Sequence, residues 1–365
     1  MSEWRDTKLG EVIEVKYGKD HKHLSTGKIP AYGSGGVMRY VDTALYGDES
    51  ILIPRKGSLN NIIYESKPFW TVDTMFWSKI DKTLAYPKFL FYQLTEIDYM
   101  NLNVGSAVPS LTVPVINAIE ISLPAIEEQK AIASVLSSLD DKIDLLHRQN
   151  NTLERMAETL FRQWFVEEVQ EDWEEKPIGD LVKVIDNRGK TPPYTDIPTA
   201  YPLIEVNALT GNNRLVDYSV IRKFVDEQTF KTWFRGHPKK YDSLLSTVGS
   251  IGEISMFLVE KGSIAQNVIA LSAVNICPIY LFEALKNIKD EIKELDIGSV
   301  QPSIKVPHLL SLKVKIPSKD KLDNFSMIVK SQLEKMIVNY HQIQTLEKLR
   351  DNLLPKLMSG EVRVA

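Results

Sequence analysis

Residues 105–114 read GSAVPSLTVP, and residues 298–307 read GSVQPSIKVP. The two stretches lie 193 positions apart, and this offset holds without a gap for roughly sixty residues. Further upstream, Gly57-Ser58-Leu59 matches Gly249-Ser250-Ile251, and Trp4 begins a match to the segment that starts at Trp173. Ordered matches of this kind are typical of an internal duplication. The chain therefore contains two copies of one plan.

Each copy begins with a mixed region and ends in a helical stretch. The mixed regions, 1–124 and 171–317, contain short β-prone runs separated by Gly, Pro and Asn turns. The stretches 125–170 and 318–358 contain no glycine, and the second belongs to a C-terminal segment, 318–365. We therefore predict an α+β fold in which two similar globular domains are separated by two long antiparallel helices. The helices would form a coiled-coil spacer, and the whole chain an internal pseudo-two-fold repeat.

The two helical stretches carry apolar seams with the spacing of a coiled coil. The first seam comprises Leu139, Ile143, Leu146, Asn150, Leu153, Ala157, Leu160 and Trp164, and the second comprises Leu333, Met336, Tyr340, Ile343 and Leu346. In the first seam the spacings alternate between three and four after the first step, and the second seam continues with steps of three and four. Asn150 is expected either to set the register of the pair or to lie where the pair opens to solvent. Pro355 is expected to interrupt the end of the second helix, and Gly360 to cap it.

Composition places limits on the compartment and on the kind of partner. The net charge is −4, apolar residues make up 43% of the chain, and Cys277 is its single cysteine. The N-terminal sequence lacks a basic region followed by an apolar run, and no stretch has the apolar length of a membrane span, so we expect a cytoplasmic protein without a membrane partner. No segment is strongly basic, so any DNA binding would depend on local patches or on a basic partner.

Several motifs together resemble the specificity subunit of type I restriction-modification systems. They are the repeated GSxxPS element, the Leu-Pro-Ala-Ile-Glu-Glu-Gln-Lys-Ala-Ile run at 123–132 and the Leu-Leu-Pro-Lys-Leu-Met-Ser-Gly-Glu run at 353–361. The second helix entry, 316–322, lacks the Glu-Glu-Gln form, so this copy has diverged. The resemblance implies two target recognition domains that each read one half of a bipartite site in double-stranded DNA, with the helices setting the spacing.

The same resemblance implies partners and their cofactors. It implies assembly with two methyltransferase subunits, which carry S-adenosylmethionine, and with a restriction subunit that uses ATP. We expect no cofactor in this chain.

The residues themselves agree with a subunit that has no catalytic or metal-ligating residues. There is no GxxxxGK[ST] loop for nucleotide phosphates. Thr191-Pro-Pro-Tyr194 resembles an element of amino-methyltransferases, but threonine lacks the carbonyl that accepts the target amine. His21 and His23 have no further His or Cys cluster beside them. Two alternatives stay open: an interaction scaffold that never binds DNA, which the acidic balance favours, and an enzyme in its own right.

Candidate DNA-binding residues are polar side chains in the turns of the mixed regions, because Arg, Lys, Asn and Gln read base edges and hydroxyls often bind phosphates. In the first copy they are Lys19, His21, Lys22, Ser34, Arg55, Lys56, Ser58, Asn60 and Asn61. In the second copy they are Arg188, Lys190, Asn207, Arg235, Lys239, Thr247, Ser250 and Gln266. The GSxxPS element is nearly identical in both copies, so we interpret it as scaffold, with Ser110 and Ser303 expected to cap a short helix.

Overall fold

The computed structural model describes residues 4–189, 191–210, 214–258, 261–298 and 300–364. The chain divides into two compact units. Unit 1 comprises Met1–Asp144 and Ile343–Ala365, and unit 2 comprises Leu145–Gln342. Both boundaries fall within long helices, so each helix contributes one part to each unit.

The described residues of unit 1 form three small sheets and two short helices, besides its parts of the long helices. The strands are β1 (Arg5–Lys8), β2 (Ile13–Tyr17), β3 (Thr26–Gly33), β4 (Gly36–Val41), β5 (Ser50–Pro54), β6 (Ile63–Glu65), β7 (Trp70–Thr71), β8 (Met75–Ile80) and β9 (Glu120–Leu123), and the short helices are α1 (Pro87–Thr95) and α2 (Val113–Asn117). The central sheet has the order β2-β8-β5-β6 and is antiparallel throughout. A second sheet, β4-β3-β7, and the antiparallel pair β1-β9 complete the unit.

The first long helix, α3 (Ile126–Arg162), runs out of unit 1 and ends in a π-helical turn, Gln163–Glu167. It begins close to the predicted residue 125 but stops before residue 170. Glu127 and Glu128 lie in its first turn, where acidic side chains interact favourably with the helix dipole.

Unit 2 repeats the architecture of unit 1. Its strands are β10 (Glu174–Pro177), β11 (Val182–Asp186), β12 (Leu203–Ile204), β13 (Ser243–Ser246), β14 (Ile254–Met256), β15 (Ser263–Ile264), β16 (Val268–Ala273) and β17 (Lys313–Ile316), and its short helices are α4 (Glu227–Thr232), α5 (Pro278–Asn287), α6 (Lys289–Glu294) and α7 (Val306–Ser311). The central sheet, β11-β16-β13-β14, has the same antiparallel order as β2-β8-β5-β6. The pair β10-β17 corresponds to β1-β9, and the parallel pair β12-β15 corresponds to β3-β7. The duplication predicted from sequence is therefore present in the strand order.

The second long helix, α8 (Lys319–Met358), pairs with α3 within each unit. In unit 2, Asn339 contacts Asn150 and Phe325 contacts Phe161, so residue numbers rise along α3 in the direction in which they fall along α8. In unit 1, Arg350 forms an ion pair with Asp140 at 3.0 Å, and Leu357 joins the same core cluster as Ile132, Ala133 and Leu136. Both parts of the pair are thus antiparallel, as predicted.

Two details of α8 differ from the prediction. Pro355 lies inside the helix, which continues to Met358, because the Ser359 amide still donates to the Pro355 carbonyl at 2.9 Å. Gly360 then adopts a φ of 73°, the left-handed conformation of a C-terminal cap. The buried seam position is Asn339 rather than Tyr340, which is half-buried and packs against Tyr218.

Within unit 2, aromatic side chains pack the two long helices against the rest of the unit. Phe325 is fully buried, and its ring meets that of Phe165 edge-on at 5.0 Å between centroids. Phe161 and Tyr280 pack into the same cluster, which joins α3, α5 and α8. Within the described ranges, none of the helices combines the length and apolar content that a membrane crossing needs.

Candidate nucleic-acid interface

The GSxxPS element forms a closed loop around a single polar side chain. In unit 1 the Asn103 Oδ1 accepts hydrogen bonds from the amides of Gly105 and Ser110, both at 2.8 Å. The loop is so tight that a Cβ on Gly105 would lie 2.1 Å from the Val108 carbonyl oxygen. The Gly57 amide donates to the Pro109 carbonyl at 3.0 Å, so this loop supports the turn that contains the first-copy candidates.

Unit 2 repeats these contacts one for one. The Asp296 Oδ1 accepts from the amides of Gly298 and Ser303, both at 2.9 Å, and the Gly249 amide donates to Pro302 at 3.0 Å. Gly57 and Gly249 both have positive φ, 91° and 85°, a conformation that favours glycine.

The element therefore has the contacts of a scaffold, but the capping role expected for its serines is wrong. The short helix α2 begins after Thr112 and α7 begins after Lys305, neither of which caps its helix with a side chain. Ser110 and Ser303 instead donate their main-chain amides to Asn103 and Asp296.

In unit 1 the structure brings three of the predicted residues together beside the Gly57 turn. The Asn61 side-chain amide donates to the Ser34 carbonyl at 2.8 Å, and a Cβ on Gly57 would lie 3.0 Å from the Ser34 hydroxyl. The Arg55 amide donates to the Thr74 carbonyl at 2.8 Å, and the Ser34 amide donates to the Thr74 hydroxyl at 3.4 Å. Arg55, Ser34 and Asn61 therefore line one polar surface.

The loop from Lys19 to His23 borders the same part of the sheet. The Lys19 amide donates to the Thr71 carbonyl at 2.8 Å, and its carbonyl accepts from the Trp70 indole at 2.9 Å. The ring of His23 meets Trp70 edge-on at 5.9 Å. Lys19 and Lys22 are exposed, whereas His21 is half-buried.

The remaining first-copy candidates differ in whether their side chains are bound within the loop. Lys56 and Ser58 are exposed. Asn60 is exposed as a residue, but its amide group bridges two neighbours, accepting from the Tyr99 amide at 3.0 Å and donating to Asp98 at 3.4 Å. We interpret Asn60 as a fixed part of the loop.

In unit 2 a different set of contacts organises the surface. The buried Asn187 side chain accepts from the Arg235 amide at 3.0 Å and donates to the Gly236 carbonyl at 3.1 Å. The Arg235 guanidinium donates to the Asp186 carbonyl at 3.3 Å. Arg188 binds the Asp186 carboxylate through Nε and Nη2 at 2.5 to 3.0 Å.

The charges around Asp186 compensate each other only in part. Burial acts to raise the pKa of the Asp186 carboxyl, but the hydrogen bonds from Arg188 and the charge of Arg235 outweigh it, so the pKa is lowered. The carboxylate is therefore ionised at neutral pH, and two guanidiniums share one negative charge. The carboxylate compensates the charge of Arg188. The exposed Arg235 therefore carries the positive charge that is not compensated.

One second-copy candidate is placed where it cannot contact a ligand. Thr247 is fully buried, its hydroxyl donates to the Asn267 carbonyl at 3.4 Å, and its own carbonyl accepts from the Ile304 amide at 2.9 Å. This prediction fails because the residue continues a buried strand. Ser250 and Gln266 are both exposed. They lie near Thr247, because Ser250 belongs to the same turn and Gln266 precedes Asn267, whose carbonyl binds Thr247.

Asn207 and Lys239 are both exposed but lie on other segments, where Asn207 donates to the Val220 carbonyl at 3.4 Å and the Lys239 amide donates to Asp242 at 2.7 Å. Lys190 lies outside the described residues.

A family model described as the type I restriction modification DNA specificity domain matches residues 1–155 and 170–348. The chain belongs to this family. The two matched ranges correspond to the two copies, each with part of a long helix.

Curated members of the specificity family align along most of the chain. The specificity subunit of the type I restriction enzyme MjaIX from Methanocaldococcus jannaschii is 28% identical over 343 residues, which covers 86% of this chain and 78% of that protein. The HindI specificity subunit from Haemophilus influenzae is 21% identical over 374 residues, covering 76% and 78%. The crystal structure of a type I S subunit from M. genitalium matches with a TM-score of 0.68 at 18% identity, covering 98% of this chain and 96% of that one. At this identity the structural match shows the fold alone.

Sequence reasoning missed the residues that hold the GSxxPS loops and the Arg235 segment in place. Asn103 and Asp296 stand two positions before the glycine of each GSxxPS element, and both can accept main-chain hydrogen bonds, so the repeat contained this signal. Asn187 carried no such signal, because its partners at positions 235 and 236 are distant in sequence.

Proposed function

We propose that this chain is the sequence-reading subunit of a type I restriction-modification complex. Unit 1 and unit 2 would each read one half of a bipartite site in double-stranded DNA, and α3 and α8 would set the spacing between the halves. The observation that carries this proposal is that the two units share a scaffold contact for contact but differ in their loops. Positions 55 and 56 hold Arg and Lys in unit 1, where unit 2 has the buried Thr247 followed by Val248.

A shared scaffold with different loops is what a bipartite reader requires. The scaffold can present both halves to similar partner subunits, while the loops distinguish one base sequence from another. The candidates that remain exposed in unit 1 are mainly cationic, among them Lys19, Lys22 and Lys56. The polar surface of unit 2 depends on Arg235 and on side chains such as Ser250 and Gln266. The two half-sites should therefore differ in sequence.

The chemistry would reside in other subunits. We propose two methyltransferase subunits that bring S-adenosylmethionine and a restriction subunit that uses ATP, with no catalytic residue, metal site or cofactor in this chain. The net charge of −4 supports the need for partners, because they would supply much of the attraction to DNA phosphates.

Reconstitution tests the proposal. The complex of this chain with its methyltransferase subunit should transfer labelled methyl groups from S-adenosylmethionine to DNA that contains one bipartite sequence, and the chain alone should transfer none. Omitting the chain from the complex should abolish the sequence preference. Methylation by the chain alone, or equal methylation of unrelated duplexes by the complex, would contradict the proposal.

A further inference from the structure

The two units place an arginine at the same point of their central sheets. Tyr17 is the last residue of β2 and pairs with Phe76 of β8, and Asp186 is the last residue of β11 and pairs with Ile269 of β16. Since Phe76 and Ile269 are related by the repeat offset of 193, Tyr17 and Asp186 are structurally equivalent.

In unit 1 the arginine at this strand end is Arg55. Its guanidinium carbon lies 5.4 Å from the centre of the Tyr17 ring, a cation–π distance, and Nη1 donates to the Asp73 carbonyl at 3.2 Å. Arg55 directly follows β5, so the central sheet fixes its main chain.

In unit 2 the position equivalent to Arg55 cannot supply this group. The Leu111 amide donates to the Arg55 carbonyl, and the Ile304 amide donates to the Thr247 carbonyl, both at 2.9 Å, which makes Thr247 the counterpart. Thr247 is fully buried. The arginine comes instead from Arg235, whose Nη1 donates to the carbonyl of Asp186, the counterpart of Tyr17.

We propose that Arg55 and Arg235 are the equivalent base-reading residues of the two units, although they come from non-equivalent positions in the chain. This inference rests on the proposed function. A guanidinium held by a main-chain carbonyl keeps its charge and has a fixed orientation, which suits the two acceptors on the major-groove edge of guanine. Arg188 is excluded from this role because the Asp186 carboxylate binds it through two nitrogens.

Asn187 is the positioning residue for Arg235. Its side-chain oxygen and nitrogen bind the main chain of Arg235 and Gly236, so it fixes the segment from which the guanidinium extends. Because Asn187 is buried, it acts through Arg235 rather than on DNA.

The test uses the complex with the methyltransferase subunit and three duplexes: the methylated bipartite sequence, and two versions with one half scrambled. Arg55→Ala and Arg235→Ala should each raise Kd for the intact site by about 5- to 150-fold. Each loss should vanish on the duplex whose corresponding half is already scrambled, and the two variants should be sensitive to opposite halves. Matched controls are Arg39→Ala and Arg222→Ala, whose guanidiniums also donate to main-chain carbonyls, those of Leu24 and Ser219.

The outcomes separate this inference from the proposed function. If the unaltered complex binds all three duplexes alike, the proposed function fails and this inference with it. If the unaltered complex discriminates but Arg235→Ala weakens all duplexes equally, or no more than Arg222→Ala does, only the inference is overturned. Asn187→Ala should lose affinity through the same half as Arg235→Ala, and the double variant should be no weaker than Arg235→Ala. Losses that multiply would show that Asn187 does not act through Arg235.

Discussion

At the scale of single residues, close contacts explain why the GSxxPS glycines recur in both copies. A Cβ on Gly298 would lie 1.8 Å from the Gln301 carbonyl oxygen, and one on Gly105 would lie 2.1 Å from that of Val108. The repeat predicted that these residues belong to a scaffold. The reason, a loop folded back onto its own first residue, depends on distances that the sequence does not contain.

Gly298→Ala should therefore destabilise unit 2 by about 1–3 kcal/mol, because the added methyl group must displace main-chain atoms. The measurement is the urea unfolding midpoint of the full chain. Gly35→Ala is the matched control, since its Cβ would have no atom within 4 Å. Equal midpoints for Gly298→Ala and the unaltered chain would show that the loop is not tightly closed.

The side chain that accepts the main-chain hydrogen bonds of this loop is Asp296 in unit 2 and Asn103 in unit 1, so the stability of the loop should depend on pH in unit 2 only. Main-chain hydrogen bonds, first from Gly298 and then from Ser303, lower the pKa of Asp296 from its usual 3.8. A lowered carboxyl pKa stabilises the folded loop above pH 3.8, and this contribution is lost as the pH falls through the lowered value. Asn103 occupies the same position in unit 1 and does not titrate.

Asp296→Asn should abolish this dependence while keeping the two hydrogen bonds. The amide proton shifts of Gly298 and Ser303, followed by NMR as the pH is lowered through 3.8, report it directly. In the unaltered chain these shifts should titrate, and in Asp296→Asn they should stay constant. A midpoint at or above 3.8 in the unaltered chain would contradict the assignment.

The candidate interface was only partly accessible to sequence reasoning. Choosing polar residues in turns selected Arg55, Ser34 and Asn61, which the structure brings together. The same rule selected Thr247, which is buried because it continues the line of β13. Burial at a strand end depends on which segments pack above it, and those come from distant parts of the chain.

At the scale of elements, the long helices were predictable because their apolar spacing repeats over many turns. The observed seam of α8 differs from the predicted one by one residue, because Asn339 rather than Tyr340 is buried. Its side-chain nitrogen donates to the Asn150 oxygen at 2.8 Å, so of the two roles open for Asn150, the contact supports the setting of register. A polar residue in a seam could be recognised from sequence, but its partner could not.

Asn339→Ala should cost about 1–3 kcal/mol of unfolding free energy, because it leaves Asn150 without its donor and removes buried volume. The double replacement Asn150→Leu/Asn339→Leu should restore most of this stability, because it removes both polar groups together. Urea unfolding of the single and double variants supplies the comparison. If the effects of Asn150→Leu and Asn339→Leu simply add, the two residues are not coupled.

At the scale of the whole molecule, the duplication was predictable because the repeat offset is visible in the sequence. The contents of the two units were not, because the second copy carries insertions such as the segment that contains α4 and Arg235. An insertion has no counterpart to align with, so its position in the fold follows only from its contacts.

Lengthening the helices tests their role as a spacer. Inserting one heptad after Asn150 in α3 and one before Asn339 in α8 keeps the seam and adds about 10 Å to each helix. The methylated sequence should then have a gap longer by about three base pairs, with both half-sites unchanged. Methylation mapping reads this outcome, and an unchanged gap would exclude the helices as the spacer.

Exchanging the globular part of unit 1 tests the central claim most directly. The measurement is methylation mapping of a genome modified by the complex in which residues 1–124 come from a relative with a different target. If the two units share a scaffold and each reads DNA through its own loops, as proposed, one half of the bipartite sequence should change and the other half should stay as it was. A chimera that methylates efficiently but changes both halves, or neither, would contradict the account.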